Sequence, residues 1–187
     1  MTETRTGGNT SKKQKVVNGV RVDNLRAFIE KVREDPELAR LQSTVEGQWN
    51  DSGKGAMFTL WAETAGGKTG IKIDEFPFLG GTGVAPSPIQ FCIGGAIACY
   101  ANSFAKKAAA KGVTFTDMQV RGEGEMNISR SLGLSDEPIL EGMKISIKLK
   151  TEASDEQLQE IKELADYSCP ALYCLKNEIK VDTSVNT

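Results

Sequence analysis

The chain has 187 residues, 39% of them hydrophobic and 26% charged, an ordinary globular composition with room for one domain around one core. With 23 Lys and Arg against 25 Asp and Glu, no charge excess selects a polyanion or an anionic membrane surface, so nucleic acid and membrane are not expected partners. Histidine is absent, which removes Ser/His and Cys/His catalysis and the commonest metal ligand; thiols, carboxylates, amines and guanidinium must carry any chemistry.

Met1 to Lys15 is rich in Thr, Gly, Ser and Lys and has no apolar run, so residues 1–17 are expected to be a disordered, solvated tail rather than a signal peptide, with the domain over 18–187. No later stretch approaches the roughly 18 uninterrupted apolar residues of a membrane span, and a cytoplasmic location is expected. Asp23 is placed to cap a helix on which Leu25, Phe28, Ile29 and Val32 recur with helical spacing, and Asp35-Pro36 breaks it. Strands are expected over 43–49, 57–62 and 70–73, separated by the turn signals Asn50-Asp51-Ser52-Gly53 and Gly66-Gly67. A glycine-bearing loop over 76–86 follows.

Ser87-Pro88-Ile89-Gln90 predicts a helix start: a hydroxyl cap, proline at the first helical position, and Gln at the position that closes a capping box. This helix runs to Lys111, with Lys106, Lys107 and Lys111 at its negative pole and Gly112 as terminator. Its first half, Ile89 to Ala101, is almost wholly apolar and is expected to be buried on most sides. Gly94, Gly95, Ala96, Ala98 and Ala101 suggest that another backbone comes close. Two alternating runs predict antiparallel strands, one with Met118, Val120, Met126 and Ile128 inward and the other with Met143, Ile145, Ile147 and Leu149 inward. Acidic residues on the outer face of the first would oppose lysines of the second. Ser154-Asp155-Glu156-Gln157 opens another capped helix, which Cys169-Pro170 interrupts; a short helix restarts at Pro170, and Ile179, Val181 and Val185 predict a last strand. This order is not a βαβ repeat, so the fold class is α+β with antiparallel sheet.

Four cysteines remain for the chemistry: Cys92, Cys99, Cys169 and Cys174. In a reducing cytosol a disulfide among them would be transient and catalytic rather than a static staple. Each also has a packing reading as a small buried hydrophobe, and for Cys92 and Cys174 that is the preferred one. Their spacing does not form zinc knuckles. Cys99 lies about three turns into its helix, too deep for the helix dipole to lower its pKa, so activation would require a cation. Cys169, immediately before Pro170, would sit at a helix N-terminus, which favours its thiolate.

The segment Pro86 to Cys99, with Cys99 eleven residues after Pro88, together with Ser168-Cys169-Pro170-Ala171, the Leu79-Gly80-Gly81 loop and the opening Asn18-Gly19-Val20, resembles the OsmC/Ohr family of osmotically inducible and organic hydroperoxide resistance proteins. The resemblance covers residue 18 to the end. It implies an intertwined homodimer, with antiparallel sheets wrapped around long central helices and the active site at the interface. It also implies a thiol-dependent peroxidase: Cys99 attacks an organic hydroperoxide, its sulfenic acid condenses with Cys169, and an external dithiol reduces the disulfide, with no metal or organic cofactor. The family pattern places an acidic residue at the helix start and an Arg from the strands beside the reactive thiol. Here Gln90 stands at the acidic position and no Arg occurs between Arg40 and Arg121. Gln90 and, as substitute cation, Lys68 therefore join Cys99 and Cys169 as candidate site residues, with Lys72 a second possible cation. Gln90 and Lys68 also have plain readings, as a helix cap and a turn lysine. The alternative function is a redox sensor or small-molecule-binding dimer of the same fold without turnover.

Overall fold

The computed structural model describes residues 14–186. Most of the expected tail lies outside this range, but residues 14–17 do not behave as tail. Val16–Val17 (β1) pairs antiparallel with Val20–Arg21 (β2) across Asn18-Gly19, both with positive φ, the conformation a two-residue hairpin demands. The Asn18 side chain ties this hairpin into the fold, donating to the Val113 carbonyl at 2.8 Å and accepting from the Phe115 N–H at 3.0 Å.

Helix α1 spans Val22–Glu34 and starts without a side-chain cap. Asp23 falls inside its first turn and accepts from the Lys15 N–H at 2.9 Å, because the hairpin occupies the place where a capping residue would stand. Only Val22 of α1 is buried, and Phe28 and Ile29 on its apolar stripe are exposed. Strands β3 (Val45–Trp49), β4 (Phe58–Thr64) and β5 (Gly67–Ile73) form an antiparallel meander in sequence order. Among the described residues no helix packs across this sheet. It is joined to the rest through Asp74, whose N–H donates to the Pro86 carbonyl at 3.0 Å. The buried Asp74 carboxylate accepts from the Thr82 N–H and hydroxyl and the Val84 and Met57 N–H groups. These bonds, led by the Thr82 hydroxyl, hold it far below the usual carboxylate range.

Helix α2, Pro88–Ala110, carries the expected capping box: the Ser87 N–H donates to Gln90 Oε1 at 2.9 Å and the Gln90 N–H to the Ser87 hydroxyl at 3.3 Å. At about 1.5 Å per residue it is roughly 35 Å long. Its second half is buried as Tyr100, Phe104, Ala105, Ala108 and Ala109. Its first half is not enclosed as expected: apart from Ala96, residues 89–99 are half-buried or exposed. Gly94 and Gly95 face open space. The close approach comes instead from the neighbouring strand, β6 (Thr116–Met126), where a Cβ on Gly122 would lie 2.6 Å from Ile97 Cγ2.

Strand β6 pairs antiparallel with β7 (Leu140–Lys150), and both show the alternation read from the sequence. Glu123 does sit opposite Lys144, but its ion pair is with Arg121 along the same strand, at 2.9 Å. Helix α3 (Asp155–Ser168) has the second expected capping box, and α4 (Pro170–Lys176) restarts at the proline. The core joins Tyr100, Phe104, Ala108, Val113, Ile161, Ala165 and Cys169 between α2, α3 and the inner face of the β6–β7 sheet. The expected last strand is absent: residues 178–186 carry no strand pairing, and Ile179, Val181 and Val185 are exposed. Alternation favours a strand only where an edge is present to accept it, and among the described residues no strand pairs with this segment.

Candidate active site: two thiols at a helix junction

Cys99 projects from the middle of α2, where the buried half of the helix begins, and Cys169 is the residue that ends α3. Residues 70 apart in sequence thus meet, with the Cys169 thiol donating to the Cys99 sulfur at 3.7 Å. A disulfide needs about 2.05 Å, a closure within reach of side-chain rotation and small backbone shifts. Proline fixes the local geometry: Cys169 has extended backbone, φ −79° and ψ 116°, as pre-proline residues prefer, which turns the chain from α3 into α4.

The two sulfurs differ in access. Cys169 is fully buried at 0% exposure, whereas Cys99 is only half-buried. Burial pushes the Cys99 thiol above the ordinary cysteine range; the backbone N–H of Ala171 pulls the other way, Cys169 raises it further, and Lys106 lowers it. Ala171 lies in the first turn of α4, so this helix start presents an N–H to Cys99. The cation bearing on Cys99 is Lys106, two helical turns along α2.

The other candidate residues are placed apart from the thiols. Gln90 closes the α2 cap. Lys68 on β5 donates to Glu46 across the sheet at 2.8 Å, and that bond, reinforced by the Glu46 charge, raises its pKa. Cys92 and Cys174 are exposed rather than packed. Among the described residues no three His, Cys, Asp or Glu side chains converge to hold a metal.

A polar network, which no local sequence signal marks, lies beside the thiols. The buried Tyr100 hydroxyl donates to Asp166 at 2.7 Å, and Lys162 Nζ donates to the other carboxylate oxygen at 2.7 Å. Burial alone would raise the Asp166 pKa, but the Lys162 and Tyr100 hydrogen bonds outweigh it and hold the carboxyl below its usual range. The same burial and bond push the Tyr100 phenol well above its ordinary value. Tyr100 and Phe104 also line a groove of about 260 Å³, together with Ile145, Ile147, Leu149, Leu158 and Lys162.

Residues 80–184, more than half of the chain, match the family model described as OsmC-like protein. No curated protein matches the sequence. Among solved structures the chain is similar to an OsmC-like protein from Mycoplasma pneumoniae, at 17% identity and a TM-score of 0.56, covering 73% of this chain and 88% of that one. It is also similar to an organic hydroperoxide resistance protein OsmC from Legionella pneumophila, at 15% identity and a TM-score of 0.50, covering 73% and 92%. At these identities the likeness is one of fold, and it agrees with the α+β class read from the element order. No described helix is long and apolar enough to cross a membrane.

Proposed function

Because the chain belongs to the OsmC-like protein family, we propose that it is a thiol-dependent peroxidase that reduces organic hydroperoxides through Cys99 and Cys169. The observation that carries the reading is the 3.7 Å sulfur contact between a half-buried and a fully buried thiol. Of this pair Cys99 is the one open to a substrate, so it is the thiol that meets the peroxide. Its thiolate attacks one oxygen of the O–O bond; the bond breaks, the released alkoxide takes up a proton to leave as an alcohol, and Cys99 becomes a sulfenic acid. The Cys169 sulfur then displaces the sulfenic hydroxyl, which leaves as water with the Cys169 proton, and the disulfide forms. An external dithiol restores both thiols by two exchange steps and is itself oxidised. A reducing cytoplasm is the compartment that would sustain such a cycle.

The working unit is proposed to be a homodimer. In its favour are the partly exposed apolar first half of α2, the open space beside Gly94 and Gly95, and exposed Trp49, Val45 and Phe78 on and near a sheet that no helix among the described residues covers.

The test is direct. Reduced protein mixed with cumene hydroperoxide and excess dithiothreitol should consume peroxide over many turnovers, and Cys99→Ser should not; a Cys99→Ser protein as fast as the parent overturns the assignment. A second reading, a redox sensor without turnover, is favoured by Gln90 at the acidic position and by Lys106, an ammonium rather than a planar guanidinium fork, as the cation near Cys99. One round of thiol oxidation that stops despite dithiothreitol would select it.

A further inference from the structure

We infer that the Tyr100–Asp166 hydrogen bond is a clamp that sets how the two sulfurs face each other, making Tyr100 and Asp166 positioning residues for disulfide formation. The inference rests on the redox reading of Cys99 and Cys169. Tyr100 follows Cys99 on α2, and Asp166 precedes Cys169 by three residues on α3, about one helical turn. The thiol contact at 3.7 Å and the hydroxyl-to-carboxylate bond at 2.7 Å are therefore adjacent rungs between the same two helices. Tyr100 is 6% exposed, and Lys162 holds the acceptor from the other side, one turn earlier on α3. An ionised acceptor fixed at both oxygens makes this a strong bond.

The end of α3 needs such an anchor. Cys169 has left helical geometry, and Pro170 has no N–H with which to close the last carbonyls. The Ser168 hydroxyl turns back to the Leu164 carbonyl at 2.7 Å, which satisfies the helix but does not tie it to α2. The Tyr100–Asp166 bond does. Condensation requires the Cys169 sulfur on the line of the breaking S–O bond, and displacement by about 1 Å can cost on the order of a hundredfold in rate.

The experiment compares the parent with Tyr100→Phe, which keeps the ring, and Asp166→Asn, which keeps a carbonyl acceptor. In one arm, rapid-quench mass spectrometry follows reduced protein after one equivalent of cumene hydroperoxide. Tyr100→Phe should form the Cys99 sulfenic acid at the parental rate but convert it to disulfide about tenfold to a hundredfold more slowly, with Cys99 sulfinic acid accumulating under excess peroxide. Asp166→Asn should lie between. A lesion that merely loosened the fold would not separate the two steps in this way. In the other arm, equilibrium with oxidised and reduced glutathione gives the effective concentration of the two thiols without any peroxide, and it should fall by a similar factor. A Tyr100→Phe protein that matches the parent in both arms overturns the clamp. Should Tyr100→Phe not fold, a parental Asp166→Asn overturns it equally. A parent that ignores peroxide yet forms the disulfide with glutathione, with a lower effective concentration in the variants, retains the clamp and removes the peroxidase. A parent that forms no intramolecular disulfide in either arm overturns both.

Discussion

Cys99 should ionise only above the pH at which a free cysteine does. An unperturbed thiol of pKa about 8.5 is roughly 3% thiolate at pH 7, and burial pushes Cys99 higher than its ordinary range, so its thiolate fraction falls below that figure. Because the thiolate is the nucleophile, alkylation of Cys99 by iodoacetamide should rise nearly tenfold per pH unit from about pH 6.5 to 8.5 without levelling off. Lys106 is the cation that opposes the rise in pKa, and it acts more weakly than the burial that causes it. Lys106→Gln should therefore slow alkylation across that window by a modest factor, about twofold for an interaction of a few tenths of a kcal/mol. Site-resolved mass spectrometry of the carbamidomethyl adducts, against a model peptide, measures both effects. A Cys99 profile that levels off below about pH 7.5 would refute the reasoning, since it would require a stronger cation than the chain supplies from α2. Lys68→Gln is the informative control. Glu46 already engages Lys68, so the profile should not move; if it does, Lys68 reaches Cys99 across a subunit interface.

Cys169→Ser should still form the Cys99 sulfenic acid but no intramolecular disulfide, so that excess peroxide drives Cys99 to sulfinic acid, a mass gain of two oxygens readable on the intact protein. Gly122→Ala would put a methyl carbon 2.6 Å from Ile97 Cγ2 and 2.8 Å from Ile93 Cγ2, overpacking worth about 1–3 kcal/mol; the melting temperature should drop by about 2–4 °C per kcal/mol, and an unchanged Tm would contradict the packing of β6 on α2. Asp74→Asn should destabilise the protein at neutral pH, seen as a lower urea midpoint, because the Thr82 and Val84 N–H donors of the loop lose their charged acceptor. The folded-state pKa of Asp74 is lowered, so its contribution is complete above the unfolded value of about 3.9 and fades as the pH falls below it; urea titrations of parent and variant should therefore converge in acid, and a constant gap would argue against an ionised Asp74.

The parts of the fold that were legible in the sequence are those fixed by neighbours in the chain. Both capping boxes, the strand alternation of β6 and β7, the proline restart of α4 and the Gly112 terminator each depend on a few adjacent residues, and each was found where expected. The failures involve partners distant in the chain. Asp23 looks like a helix cap until β1 and β2 close and bring the Lys15 N–H to it; Asn18-Gly19 between Val17 and Val20 is the local signal for that hairpin. Residues 178–186 have a strand's alternation without an edge to complete it. The two thiols could be paired only by resemblance, since nothing local links Cys99 to Cys169. The Tyr100–Asp166 bond spans 66 residues, and a tyrosine on an apolar helix reads as packing until its partner is known.

The order of the proposed chemistry follows from where Cys99 falls on α2. Upstream of it the helix is apolar and covered on one side by β6, with open space at Gly94 and Gly95; downstream, Tyr100, Phe104 and Ala108 are buried with α3. Cys99 stands at that boundary, and Cys169 stands inside it. One sulfur can therefore meet a solute while the other waits in the core, reachable only from the first. A second copy laid on the open half of α2, as in the proposed dimer, would leave Cys99 at its rim and turn the approach to the sulfur into a passage between subunits. Peroxide selectivity would then belong to the interface, whereas the sulfur contact, set by α2 and α3 of one chain, would form in the isolated subunit as well.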